Sequence, residues 1–297
     1  MRPNPLLKKL GFSDSDRLVI FHADDIGMCQ ATLTAYADLI DFGLISSAAT
    51  MTPCPWFQGA AAFCRQHPEV DMGVHLTLNA EWDTYRWAPL STRDPASGLV
   101  DKEGYFHHWT EETHANADPT AVQIELVAQL ERAQAAGIDV THIDTHMGTV
   151  AYPSYLPGYI QLAMQHCLPT MIPRLDEAGY LAMGMDAEMA AFAVQLGDQL
   201  EEQGFPLIDN IYMMSLEDPA ERIEQVKAAM SSIPAGITHF ILHPTADTPE
   251  IRALAPDWRC RVADYEAFTN KELKEYIKNC GVQVIGYRQI REVMKGS

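Results

Sequence analysis

Residues 17–27 read RLVIFHADDIG. The apolar run RLVIF (17–21) reads as a buried strand, and two adjacent carboxylates, Asp24 and Asp25, stand at its mouth shortly before Gly27. Neighbouring carboxylates repel each other and are costly to desolvate. Either the pair caps a turn and the helix that follows, or one carboxylate binds a cation while the other moves a proton. The rest of the chain decides between these readings.

Working outward, strand-like and helix-like segments alternate. Residues 17–23, 44–51, 70–78, 139–147, 168–174, 205–213, 237–244 and 282–287 read as strands. Helical patterns lie near 30–42, 56–67, 118–137, 154–167, 186–203, 218–233 and 269–281. The segment 118–137, DPTAVQIELVAQLERAQAAG, opens on an Asp cap with Pro in its first turn and stops at Gly137. Such alternation predicts an α/β fold with a parallel sheet and crossover helices. A (β/α) barrel-like sheet of seven or eight strands, closed or nearly so, fits the length. An open doubly wound sheet is the alternative, but no GxGxxG follows any strand. Without a repeat or linker, residues 1–297 are expected to form one domain. The stretch 79–117 is too long for a plain connector and reads as a functional loop insertion.

The chain has 297 residues, 47% hydrophobic and 21% charged, with a formal net charge of -19. That acidity argues against nucleic acid or an anionic membrane as partner, because both call for a basic surface. It suits a neutral or cationic small substrate. The opening residues MRPNPLLKKLGFSDSD (1–16) hold no apolar core long enough to read as a signal peptide, and no run nears the roughly 18 apolar residues of a membrane span. Cysteines 29, 54, 64, 167, 260 and 280 form no CxxC pair. They read as reduced thiols of a cytoplasmic protein. A symmetric homodimer is the base-rate expectation.

In a parallel barrel, reactive groups gather at the C-terminal strand ends. Asp24 and Asp25 end the first strand, and His75 lies in GVHLTL. His142, Asp144 and His146 lie in THIDTH, and His243 in LHPTAD. Residues i, i+2 and i+4 of a strand share a face, so His142, Asp144 and His146 would point the same way. Two histidines and a carboxylate from different strands make a site for one divalent cation, with positions left open for water and substrate. The pair then divides, with Asp25 as ligand and Asp24 as base. Zinc suits the ligand softness, and magnesium, manganese, cobalt or nickel are admissible. Taken singly each residue has a plainer reading. A buried His is more often a hydrogen-bonded core residue, and His142 and Asp144 would then only orient their neighbours. His67, His107, His108, His114 and His166 read as solvated or structural. The coincidence of four strand ends favours the site.

HADDIGM, GVHLTL, THIDTHMG and LHPTAD, in this order and spacing, resemble the YdjC-like (ChbG/HpnK) carbohydrate deacetylases, near the polysaccharide deacetylases. The resemblance runs from about Leu18 to Tyr287. It implies a barrel-like fold, a single divalent cation and hydrolysis of an N-acetyl group from an amino sugar or a chitooligosaccharide-like chain. Carried over, Asp24 resembles the catalytic base, Asp25, His75 and His146 the metal ligands, and His243 the proton donor to the leaving amine. Two features depart from the pattern. Met147-Gly148 stand where many relatives continue a run of histidines, and NAEWDTYRWAPL (79–90) is longer and more aromatic.

In the metal-assisted amide hydrolysis so implied, Asp247 would orient His243, and Arg261 would pair with Asp24. Trp82, Tyr85 and Trp87 would offer flat faces to a sugar ring. Arg174 and Asp209 are further pocket candidates. Competing readings are a hydrolase of another amide or ester, or of a phosphoester, and an inactive sugar-binding protein. The lack of a basic cluster disfavours phosphate.

Overall fold

The structure, a computed structural model, describes residues 3–296. Strand β1 (Arg17–Ile26) is buried along its length beyond Arg17, as expected of a strand covered on both faces. Its side chains divide by parity. Val19, Phe21 and Ala23 join the large core under the helices. Leu18 and Ile20 join a smaller cluster with Leu6, Leu7, Ile208, Ile237, Ile285, Tyr287 and Ile290. His22 and Asp24 continue that second face toward the strand's C-terminal end, so the same row of positions turns from apolar to ionisable.

The other strands are β2 (Ser47–Thr50), β3 (Met72–Leu76), β4 (Val140–Thr145), β5 (Asn210–Met213), β6 (Gly236–Leu242) and β7 (Val282–Val284). All pairings are parallel. The order is β4-β3-β2-β1-β6-β5, with β7 added to β1. One edge of β1 takes β6; the other takes β7 at residues 17–19 and β2 at residues 22–26. The seven-stranded sheet is not closed. Residues 168–174, expected as a strand, make only isolated bridges, Ile143 to Thr170 and Pro173 to Ile208. Pro169 and Pro173 have no N–H to give a ladder, so this segment spans the gap between β4 and the approach to β5 without sealing it.

The crossover helices begin and end on local chemistry. Asp118 accepts from the N–H groups of Thr120 and Ala121 at the head of the helix Pro119–Ala135. Gly43, at φ 75°, closes the helix Gln30–Phe42 by donating to Leu39 O. The helix Trp258–Phe268 was not apparent in the sequence. Its buried face includes Arg261 and Asp264, and two charges on the inward face break the apolar stripe that would mark it. The 79–117 stretch holds a short helix, Thr110–Asn116, and one antiparallel bridge, Val100 to Phe106. Among the described residues, no helix is long and apolar enough to cross a membrane.

Candidate functional site

Three donor atoms from three elements meet at the C-terminal end of the sheet. Asp25 Oδ1 lies 3.5 Å from His75 Nε2 and 3.2 Å from His146 Nδ1, and the two nitrogens are 3.3 Å apart. All three residues are buried, and Asp25 Oδ1 has no hydrogen-bond partner. A cation with ligand bonds of about 2.0–2.2 Å and tetrahedral angles needs donors about 3.3–3.6 Å apart. The triangle therefore fits one divalent cation, and the unpartnered oxygen is the kind of group such an ion would satisfy.

Backbone and neighbours aim these donors. Asp25 has φ 63° and Met147, after His146, has φ 53°. Left-handed non-glycine residues are strained and gather at functional sites. Register sets His75 opposite Asp144, and Asp144 Oδ1 meets His75 Nδ1 at 2.9 Å, leaving Nε2 for the centre. Glu81 Oε2 meets His146 Nε2 at 3.1 Å, leaving Nδ1. A carboxylate on the outer nitrogen is what fixes the tautomer and orientation of a ligating histidine. Burial opposes charge on both rings, but the surrounding carboxylates outweigh it, lifting His75 to about 9 and His146 to about 10.

Arg261 holds the other Asp25 oxygen, Oδ2, at 2.7 Å. Burial raises the Asp25 pKa, yet Arg261 and His146 bring it well below the ordinary value. Asp24 is used differently. Its Oδ1 meets His22 Nδ1 at 2.6 Å, while Oδ2 lies 3.7 Å from His75 Nε2 and 3.9 Å from His243 Nε2. Burial works against its ionisation, but His75, His22 and His243 lower its pKa. The backbone N–H of His243 donates to Asp264 Oδ2 at 3.0 Å, and Arg222 Nε lies 3.1 Å from Asp264 Oδ1. Burial brings the His243 pKa below its ordinary value, although the nearby Asp25 and Asp24 carboxylates oppose this.

The profile of the YdjC-like protein family matches residues 18–279. The chain belongs to the YdjC-like family. A carbohydrate deacetylase of Thermus thermophilus is 31% identical over 289 residues, covering 97% of this chain and 99% of the relative. A carbohydrate deacetylase of Thermoanaerobacter pseudethanolicus is 21% identical over 271 residues, covering 91% and 98%. Among solved structures, one described as a cellobiose-phosphate cleavage protein from Enterococcus faecalis V583 matches with a TM-score of 0.74 at 21% identity. It covers 93% of this chain and 99% of that one. At that identity the likeness speaks for the fold.

Two pairings in this YdjC-like chain differ from the sequence expectation. Arg261 pairs with Asp25, not Asp24, because the helix carrying it passes behind the left-handed turn. Asp247 does not orient His243; it meets Arg252 Nε at 2.6 Å on the surface. Arg174 is held by Glu201 at 2.6 Å and Asp209 at 3.1 Å. Asp209 in turn accepts from Asn4 and from the Ile237 N–H, so this group ties chain segments together. His142 faces His22, with their Nε2 atoms 2.7 Å apart. Trp87 is buried and donates to Asn79 O, its ring 6.3 Å from that of His146. Trp82 is buried beneath Arg261, whose guanidinium lies 5.6 Å from the ring. Half-buried Tyr85 donates to Met28 O.

Two residues at the site had not been singled out. His22 could have been found, since it lies two positions before Asp24 on the same strand face. Glu81 sits in an irregular loop, where no periodicity marks its direction.

Proposed function

We propose that this chain is a metal-dependent carbohydrate N-deacetylase that hydrolyses the acetamide of an N-acetylated amino sugar. The observation that carries this reading is the triangle of Asp25, His75 and His146 beside a separately held carboxylate, Asp24. A divalent cation held by those three residues would supply Lewis acidity toward an amide carbonyl and toward water. Asp24 Oδ2 takes the proton of the attacking water, because Oδ1 is already engaged by His22. The 3.9 Å separation between Asp24 Oδ2 and His243 Nε2 gives that proton a short path to the departing amine. Glu81 and Asp144 keep the two imidazoles turned inward.

The family and its relatives named carbohydrate deacetylases support the substrate class. Half-buried Tyr85, in the 79–90 segment beside the site, would take the apolar face of a sugar ring. Zinc suits the nitrogen and oxygen donors best. The test is a screen of metal-replete and chelator-treated protein on N-acetylated mono- and oligosaccharides, reading acetate and free amine together. Release only by metal-replete protein is expected. No release from any such sugar, with the cation bound at one per chain, would sink the proposal.

A further inference from the structure

The sheet is open between β4 and β5, and the gap is not filled. An apolar cavity of about 200 Å³ lies there. Leu156 and Tyr159 close it from the helix Leu156–Gln165, Met171 and Pro173 from the bridging segment, and Leu196 and Leu200 from the helix Ala187–Glu202. Among the described residues that line it, none is charged. The three hydroxyls on its wall are engaged inside the protein. Tyr159 Oη donates to Ile143 O at 2.7 Å, Tyr180 Oη donates to Pro173 O at 2.7 Å, and Thr145 Oγ1 accepts from the Val150 N–H at 3.0 Å. An occupant meets only apolar contact there. A charged or hydroxylated group would lose its hydrogen bonds to water without replacement. An engineered apolar cavity of about 150 Å³ stays dry and takes benzene, so this one suits a group of that size or slightly larger.

The space is not a by-product of packing. Ala193, Leu196, Gly197 and Leu200 follow the spacing of one helix face, and that face is turned to the cavity. Gly197 stands inside the helix, where glycine is destabilising relative to alanine. A Cβ there would meet only Leu207 Cδ1, at an ordinary 3.8 Å, and the residue is not left-handed. Neither crowding nor backbone conformation calls for glycine, and the missing side chain leaves room in the cavity wall.

The cavity adjoins the cation triangle. Thr145 ends β4, Gly148 follows His146 by two residues, and Ile211 belongs to β5; all three line it. It therefore lies toward the C-terminal side of the sheet, as the triangle does. His146 turns toward Asp25 and His75 on one flank of β4, and the cavity occupies the other flank. Exposed Met183 on its wall marks where it reaches the surface.

We infer that this cavity is a subsite for a short alkyl or aryl group carried by the substrate as its glycosidic substituent. The inference rests on the deacetylase reading above. In an N-acetylated 2-amino sugar the anomeric carbon is bonded to the carbon that bears the amide. With the amide carbonyl at the triangle, the glycosidic substituent is among the groups of the sugar nearest the reacting centre. The acyl methyl stays with the carbonyl, so a cavity across β4 falls to the sugar side.

The experiment gives metal-replete protein the alkyl β-glycosides of N-acetylglucosamine and N-acetylgalactosamine, methyl to decyl, below their micelle concentrations, and reads acetate. For the sugar that is turned over, kcat/KM should rise about 2- to 4-fold per methylene. The gain should fall mainly on KM, because apolar contact is felt in ground and transition state alike. It should stop near six or seven carbons, about the number of roughly 30 Å³ groups that fill the volume. A rise continuing to decyl would indicate an open surface and overturn the inference. So would a comparable gain from lengthening the N-acyl chain of the methyl glycoside. Gly197→Leu, which fills the cavity from its helix, should lower the hexyl-to-methyl ratio of kcat/KM at least about 10-fold. Gly197→Ala, a milder filling that also favours the helix, should lower it by a smaller factor. Wild-type circular dichroism and one cation per chain check the fold of each variant. An unchanged ratio in both would overturn the inference. Acetate released at equal kcat/KM along the series would overturn it and leave the deacetylase reading standing. No acetate from any N-acetylated sugar, with the cation bound, would sink both.

Discussion

Replacing Arg261 by leucine tests how the carboxylate pair is kept in the interior. The Arg261 side chain is 4% exposed, with Nη1 2.7 Å from Asp25 Oδ2 and Nε 2.9 Å from Asp257 Oδ2. Asp25 is 1% exposed and Asp24 is adjacent to it. Removing the guanidinium leaves a buried anion beside a second one, and breaking such a pair costs about 3–5 kcal/mol. That is at least about a fifth of a typical net stability of about 5–15 kcal/mol. The assay is urea unfolding in chelator, followed by the same titration with zinc. The midpoint should fall by the equivalent of about 3–5 kcal/mol in chelator. Zinc should restore part of it, since a ligand at 100 times its Kd adds about 2.7 kcal/mol. Arg261→Lys should recover some of the loss, because it keeps the charge but cannot bridge both carboxylates. A loss below about 1 kcal/mol in chelator, the size of a screened surface pair, would refute the reasoning.

Four further outcomes are expected. His75→Ala and His146→Ala should each lose the cation by elemental analysis while keeping the wild-type circular dichroism; retention at one per chain would displace the site. Glu81→Gln should weaken cation affinity about 10- to 100-fold by calorimetry, as outer partners of ligating histidines do, and an unchanged affinity would make the Glu81 contact incidental. Asp25→Asn should weaken cation binding, whereas Asp24→Asn should keep it and lower kcat about 10²- to 10⁴-fold; the opposite pattern would swap the two roles. His239, held at about 3 against an ordinary 6.5, contributes nothing above that ordinary value because both states are neutral. Below it the unfolded chain takes up a proton that the folded protein refuses. Stability should therefore drop by about 1.4 kcal/mol per pH unit until the folded value is reached. The unfolding midpoint of His239→Gln should be flatter between about pH 6.5 and 5 than that of wild type, and equal slopes would contradict this.

Much of this protein is legible in the chain because strands and helices write their own periods. The period of two in β1 separates Phe21 from His22 and places His22 and Asp24 on one face before any partner is known. Asp25, His75 and His146 could be read as strand-end positions, and alternation of segments gave a parallel sheet. The Asp118-Pro119 cap marked its helix within a residue. What local pattern does not carry is which distant group arrives at a given atom. Arg261 reaches Asp25 because a helix with a charged inner face docks behind a left-handed turn, and Asp247, four residues from His243 in sequence, turns to Arg252 instead. The prolines that keep residues 168–174 from sealing the sheet are visible in the sequence, but the gap they leave depends on where β4 and β5 lie. The division between Asp24 and Asp25 follows from three-dimensional neighbours: His22 takes one oxygen of the first, Arg261 one oxygen of the second, and only the packed sheet decides which oxygen is left free.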